Sequence, residues 1–346
     1  MERKTKKTRT IVVVGSYNTD MVVKAARIPR PGETVLGGDF FMAPGGKGAN
    51  QAVAAARAGG NVQLIARVGE DGFGEQAIEG FLRDGIGVKH IIKDAVRPSG
   101  VALIMVDPRG ENSIAVASGA NAALSPDDIG RTARIISRAD VLLLQLETPL
   151  EAVRCAAEIA SRHGLLIILN PAPAQSLDDD LLRLVSILTP NENEAETLTG
   201  IRILDARGSA RAADVLLSRG VKAVCITLGA KGCYLASEGC RGLVPAFDVV
   251  AADATAAGDV FNGALAVARA ERKPLPEAVR FASAAAAISI TRIGAQPSAP
   301  SRREILRFLR RRCPDPISHL EAVESDWREM PLRHIISPRN RGDDED

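Results

Sequence analysis

The sequence predicts an α/β fold: a three-layer αβα sandwich with a mostly parallel central sheet, carrying a small β-sheet lid. Three observations point there. The run Thr10-Ile-Val-Val-Val-Gly15 is continuously apolar and β-branched, as in a strand buried on both faces. From residue 125 onward, apolar strand-like runs alternate with helical stretches, the pattern of parallel βα units. Residues 21–44 and 99–118 differ in texture: short alternating pieces broken by proline and glycine, read as antiparallel strands outside the main sheet.

Composition narrows the function. The chain has 346 residues, 46% hydrophobic, which suits one large α/β domain or two smaller ones. A net charge of +2 makes no electrostatic case for nucleic acid or a membrane surface. The five cysteines form no CxxC pair, and the four histidines show no metal-ligand spacing, so reduced thiols are expected and no zinc site. No apolar run reaches membrane-spanning length, and the first ten residues lack a signal peptide's apolar core, so a cytoplasmic location is expected.

Taken in order, residues 1–9 read as a basic, disordered arm and residues 10–312 as the folded domain. The first strand ends in Gly15-Ser-Tyr-Asn-Thr-Asp20, and in open α/β sheets ligands sit outside the carboxyl ends of strands. That makes Asn18 and Asp20 candidates for gripping a polar ligand, although turn chemistry alone explains such residues. Gly45-Gly-Lys-Gly-Ala-Asn50 runs into an alanine-rich helix from Gln51 to Ala58. It is not a Walker A loop, because Gly48 stands where Ser or Thr is required, but its glycines admit a ligand close to the backbone. A strand over 61–68 and a helix from Glu75 follow. The loose GxGxxA match at Gly72, Gly74 and Ala77 is discounted as a dinucleotide site because no acidic residue ends a following strand at a suitable distance.

The regular half predicts a helix over Pro126–Arg138 capped by Ser125, strands at 141–146, 165–169, 186–188 and 223–228, and helices at 150–162 and 206–219. Polar residues recur at the strand ends. Glu147 can face a ligand hydroxyl, while Asn191 and Glu194, three apart, suit either a hydrated Mg²⁺ or a helix cap. Thr227 to Gly232 is a strand-end loop able to hold a nucleotide, or simply a hairpin turn. The central stretch is Asp253-Ala-Thr-Ala-Ala-Gly-Asp259. Small residues entering a helix leave its first N–H groups bare, and Asp259 on that turn sets a proton acceptor beside an anion site. Phosphoryl transfer to an alcohol needs that pair; a plain helix-start carboxylate is the alternative. An alanine-rich helix over 275–290 and a loop to Ser298 follow, the loop able to fold carbonyls around a monovalent cation. A basic helix spans 302–312, and residues 313–346 read as a tail.

These motifs together, with Pro31-Gly-Glu-Thr-Val35, Asn170-Pro-Ala-Pro173, Thr189-Pro-Asn-Glu192, Thr227-Leu-Gly229 and Gly294-Ala-Gln-Pro-Ser298, closely resemble the PfkB-type carbohydrate kinase family over 10–312. The resemblance implies an αβα core whose β lid, from about 19–44 and 99–118, also makes a homodimer contact. It implies ATP-dependent phosphorylation of the D-ribose 5-hydroxyl, with Asp259 as base and the N–H groups of Ala256, Ala257, Gly258 and Asp259 as anion hole. It assigns Asn18, Asp20, Gly46, Lys47, Gly48, Ala49, Asn50, Glu147 and Asp259 to the sugar. On the nucleotide side it implies Asn191, Thr227, Leu228, Gly229, Ala230, Lys231, Gly232, Gly258, Asp259 and Ser283. Asn191 and Glu194 are implied near Mg²⁺, and Asp253, Thr255, Ser289, Arg292, Gly294 and Ser298 around K⁺. Ala254 and Ser283 depart from the family's frequent residues. A kinase for deoxyribose, fructose or a nucleoside, an inactive sugar-binding regulator, and nucleic-acid binding through the basic arm are the competing readings.

Overall fold

The computed structural model describes residues 9–312; the tail expected at 313–346, and all but the last residue of the basic arm, lie outside them. The strands are β1 (Thr10–Val14), β2 (Asn18–Ala25), β3 (Gly37–Gly45), β4 (Asn61–Gly69), β5 (Gly87–Asp94), β6 (Gly100–Val106), β7 (Asn112–Ala117), β8 (Val141–Leu144), β9 (Leu166–Leu169), β10 (Ile187–Leu188), β11 (Ala223–Thr227), β12 (Gly232–Ser237) and β13 (Cys240–Pro245). The helices are α1 (Lys47–Arg57), α2 (Gly72–Arg83), α3 (Pro126–Arg131), α4 (Ala133–Ile136), α5 (Leu150–Arg162), α6 (Asp179–Leu184), α7 (Glu192–Thr199), α8 (Ala206–Ser218), α9 (Ala257–Ala270), α10 (Leu275–Ser289) and α11 (Arg302–Arg312).

Nine strands form the main sheet in the order β13-β12-β11-β10-β9-β8-β1-β4-β5. From β11 through β5 they run parallel, and β12 and β13 add an antiparallel edge. The apolar run of β1 shows why both faces need helices. Ile11 and Val13 enter a core with α1, α2, α9 and α10, while Val12 and Val14 enter a second core with α3 and α5 to α8. Alternate side chains of one strand thus serve two separate layers.

The lid is a four-stranded sheet, β3-β2-β6-β7. It was expected to be antiparallel, but β2 and β6 pair in parallel, Asn18 opposite Gly100 through Lys24 opposite Val106. The cause is topological: both strands leave the main sheet at the same end, β2 from β1 and β6 after β5. The helix expected over Pro126–Arg138 is broken at Thr132, whose hydroxyl donates to the Ile129 carbonyl at 2.8 Å. The Ser125 cap is present, as a capping box with Asp128. Helices α1 and α2 begin earlier than expected, at Lys47 and Gly72. In α2 the glycines are structural: Asp71 caps the helix by accepting from Gly74 N–H.

Candidate active site

Two helix starts converge beside the carboxyl ends of β1 and β8. Gly46 enters α1 at φ 87°, and a Cβ there would lie 2.7 Å from Asn18 N, so the position requires glycine. The first turn of α1 then presents Lys47, Gly48, Ala49 and Asn50. Glu147, just past β8, accepts from Lys47 N–H at 2.9 Å and from the Ser16 hydroxyl at 2.5 Å through the same oxygen. A carboxylate is therefore fixed at the positive end of the helix, with its second oxygen left for a ligand. Asn18 is buried, and its Oδ1 accepts from Asn121.

Asp20 is the half-buried end of this group. Among the described residues no donor reaches its carboxylate, and a Cβ on Gly45 would stand 2.3 Å from its oxygens, so Gly45 is what gives it room. Burial, then the neighbouring charges of Glu147 and Asp259, push its pKa up to about 6 against the opposing pull of Lys47. Burial works against the Lys47 charge in turn, but Asp259, Glu147, Glu194 and Asp20 outweigh it and hold the ammonium above its ordinary pKa. One lysine thus neutralises part of a ring of four carboxylates.

Asp259 lies on the first turn of α9 and is buried. Oδ2 accepts from Asn50 Nδ2 and Oδ1 from Gln51 Nε2, both at 3.0 Å. Burial raises its pKa, Lys47 and the two amides oppose that rise, and Glu147 adds to it. The helix is entered through Ala256 in the left-handed region, φ 58°, a conformation that costs an L residue on the order of 1–3 kcal/mol. That turn aims the N–H groups of Ala256, Gly258 and Asp259 away from any acceptor among the described residues. Ala257 departs from the expected set: its N–H donates to the Ala254 carbonyl at 3.2 Å.

The nucleotide-side candidates also come together. Thr227 forms a parallel bridge with Asn191 and donates its N–H to Pro190, which sets the loop Gly229–Lys231 beside the start of α7. Lys231 pairs with Glu192 at 3.6 Å. Ser283 is half-buried on α10, which packs against β12 and β13. Asn191 and Glu194 form a reciprocal capping box in which both Glu194 oxygens accept from Asn191, by its N–H and by its Nδ2. Such a carboxylate suits an ion held through its water shell better than direct ligation. Among the described residues no group of three or more acidic, cysteine or histidine side chains is placed to hold a metal.

Of the cation-loop candidates, Thr255 and Gly294 meet Asp253, whose two oxygens accept from their N–H groups, each at 2.8 Å. Arg292 donates to the Ser298 carbonyl at 3.4 Å, the Ser298 hydroxyl to the Ala295 carbonyl, and the buried Ser289 hydroxyl to the Ala286 carbonyl. With the carboxylate engaged as a clamp, the available donors are neutral oxygens, which fits a weakly demanding monovalent cation.

Several residues of the site were given no role from the sequence, although Ser16, Asn170 and Thr189 stand in its quoted motifs: Ser16, Gln51, Asn121, Gln145, Asn170, Thr189 and Asn262. Gln145 Nε2 donates to Gln51 Oε1 at 2.6 Å, and Gln51 Nε2 donates to Asn170 Oδ1 as well as to Asp259. Asn170 donates to the Thr189 carbonyl, the Thr189 hydroxyl to Asn262, and Asn262 to the Gly258 carbonyl. A buried polar chain therefore joins the candidate base to the turn carrying the free N–H groups.

The fold and this pairing of carboxylate and bare helix start define a phosphotransferase site on an α/β scaffold. The sequence pattern of the pfkB family carbohydrate kinases matches residues 8–302, and the chain belongs to that family. It is 47% identical over 301 residues to the ribokinase of Haemophilus influenzae, covering 87% of this chain and 98% of that one. It resembles the crystal structure of Thermotoga maritima ribokinase, at 41% identity and a TM-score of 0.81 over 87% of this chain and 99% of that one. Against Arabidopsis thaliana ribokinase complexed with ribose and ATP the identity is 33% and the TM-score 0.82, over 87% of this chain and 99% of the other.

Proposed function

We propose that this protein transfers the terminal phosphate of ATP to the 5-hydroxyl of D-ribose, with Asp259 as base and the start of α9 as anion hole. The observation that carries this reading is the placement of the buried Asp259 carboxylate on the same helical turn as the unbonded Gly258 and Asp259 N–H groups. The similarity to ribokinases, one of them complexed with ribose and ATP, supports ribose and ATP as the substrates. ATP as donor, with free thiols at Cys155, Cys225, Cys233 and Cys240, supports a cytoplasmic setting.

In this reading Asp20, Asn18, Lys47, Asn50 and Glu147 bind and orient the sugar hydroxyls. Asp259 accepts the proton of the attacking hydroxyl, and burial raises its pKa, which strengthens it as a base. The N–H groups meet the charge that builds on the transferred phosphate. Asn191 and Glu194 would hold magnesium through its water shell, where it would supply charge neutralisation on the phosphates, and the loop clamped by Asp253 would hold potassium. The lid excludes water and so limits hydrolysis of ATP.

The test is Asp259→Asn, assayed by coupled ADP release and by ribose binding. We expect ribose binding to persist and kcat to fall by at least ~10²–10⁴-fold, the usual contribution of a placed base. Turnover near the wild-type value would remove Asp259 from its role. A panel of ribose, deoxyribose, fructose and nucleosides, with and without K⁺, fixes the substrate by kcat/KM.

A further inference from the structure

The buried amides behind Asp259 are arranged in only one possible direction. A carboxylate at its working charge only accepts, so the Gln51 side chain must turn its nitrogen toward Asp259 Oδ1, at 3.0 Å. Its oxygen then points the other way, where Gln145 Nε2 donates to it at 2.6 Å. Both glutamines are fully buried, and Gln145 lies directly beyond the last residue of β8, in the middle of the sheet. The second N–H of Gln51 is taken by Asn170 Oδ1, also at 3.0 Å. Asn50, the other donor to Asp259, sits at the sugar face with its Oδ1 unpartnered; Gln51 faces the protein interior and is out of reach of a sugar bound at that face.

We propose that Gln51, locked in orientation by Gln145 and Asn170, is a positioning residue that holds Asp259 ionised and aimed at the acceptor hydroxyl. The inference rests on the phosphotransfer reading above. The charged groups facing Asp259 are Lys47 from α1, Glu147 from the loop after β8, Asp20 from β2 and Glu194 from α7. Three of these four are acidic and disfavour a second charge, so the Gln51 N–H is one of the few interior donors favouring the carboxylate form.

The experiment is the pH dependence of kcat/KM for ribose in wild type, Gln51→Met and Gln145→Met, with Asp259→Asn as the control. Removing a donor to the charged form raises the pKa of the base, so the acid limb of Gln51→Met should move up by roughly one to two pH units. Its plateau kcat should fall by roughly ten-fold as orientation is lost, while KM for ATP stays at the wild-type value. Gln145→Met keeps the N–H but frees its orientation, and should shift the limb in the same direction by less. Folded Gln51→Met with an unmoved acid limb would overturn the proposal, since a purely structural role lowers yield and Tm without moving it. Should Gln51→Met not fold, an unmoved limb in Gln145→Met decides against it equally. Failure of the underlying reading looks different: Asp259→Asn would then retain activity, or the wild type would show none on ribose.

Discussion

Asp20 illustrates how a residue proposed to bind the sugar is set against stability. Its carboxyl is held in the fold at a pKa of about 6, above the ordinary value of 3.8, so the folded chain keeps a proton that the unfolded chain releases. Stability therefore falls as pH climbs from about 4 to about 6 and stays lowered above that. We expect Asp20→Asn to raise stability at pH 7 by an amount of order 1–2 kcal/mol after solvent screening, seen as a higher Tm, and to leave Tm unchanged near pH 4. KM for ribose should rise, because the carboxylate proposed to accept from the sugar is gone. Equal Tm differences at both pH values would show that Asp20 bears no such electrostatic burden. Residues of this kind were legible from the sequence because they sit in polar runs at strand ends. Gln145 was not, because it sits within the apolar run 141–146 and looks like an ordinary strand residue. A polar side chain inside such an apolar run is itself a signal, since burial without a partner is costly. Gln51 and Asn262 carry no such mark; helix faces rich in alanine hide them.

At the scale of elements, the site depends on how closely α1 and α9 approach. A Cβ on Gly263 would lie 2.6 Å from the Gln51 carbonyl and 2.7 Å from Ala55 N, so the two helices meet backbone to backbone there. Gly258, one turn earlier on α9, has open space where a Cβ would go. The pair separates packing from chemistry. Gly263→Ala should destabilise by about 1–3 kcal/mol through overpacking and displace Asn50 and Gln51 from Asp259. Gly258→Ala should leave Tm level or slightly raised, since alanine favours a helix by about 0.5–1 kcal/mol over glycine, yet its methyl would crowd the proposed anion hole and should raise KM for ATP and lower kcat. Thermal melts beside steady-state kinetics check both, and a Gly258→Ala enzyme with unchanged kinetics would place the phosphate elsewhere. The central elements were legible because uninterrupted apolar runs admit only one reading. β5 and β13 were missed because, as the two edges of the main sheet, they are only partly buried and carry mixed residues such as Gly87-Val-Lys-His-Ile. Loop-bound turns such as Ala256 follow from tertiary constraint and have no sequence signature at all.

For the molecule as a whole, the lid is the part whose surface does not suit a lone chain. The strand pairing puts Asp20, Ala102 and Val116 on one face of it. The opposite face carries Phe40, Met42, Leu103 and Met105, all exposed. An exposed apolar group of this size on a four-stranded sheet marks an interaction surface. The occupant we assign is a second copy of the chain, since the same patch on two lids is self-complementary across a twofold axis, as a closed dimer requires. Leu103→Asp tests this cleanly because residue 103 points away from the face that bears Asp20. The wild type should sediment at about twice 36.5 kDa and the variant at that mass. If the lid needs its counterpart to stay closed, the variant should keep a measurable kcat, show a higher KM for ribose, and hydrolyse more ATP without sugar, since an open lid admits water. A wild type that sediments as a single chain at micromolar concentration would leave this apolar face without the partner assigned to it. A variant that dissociates with unchanged kinetics would show instead that each lid closes over its own site unaided.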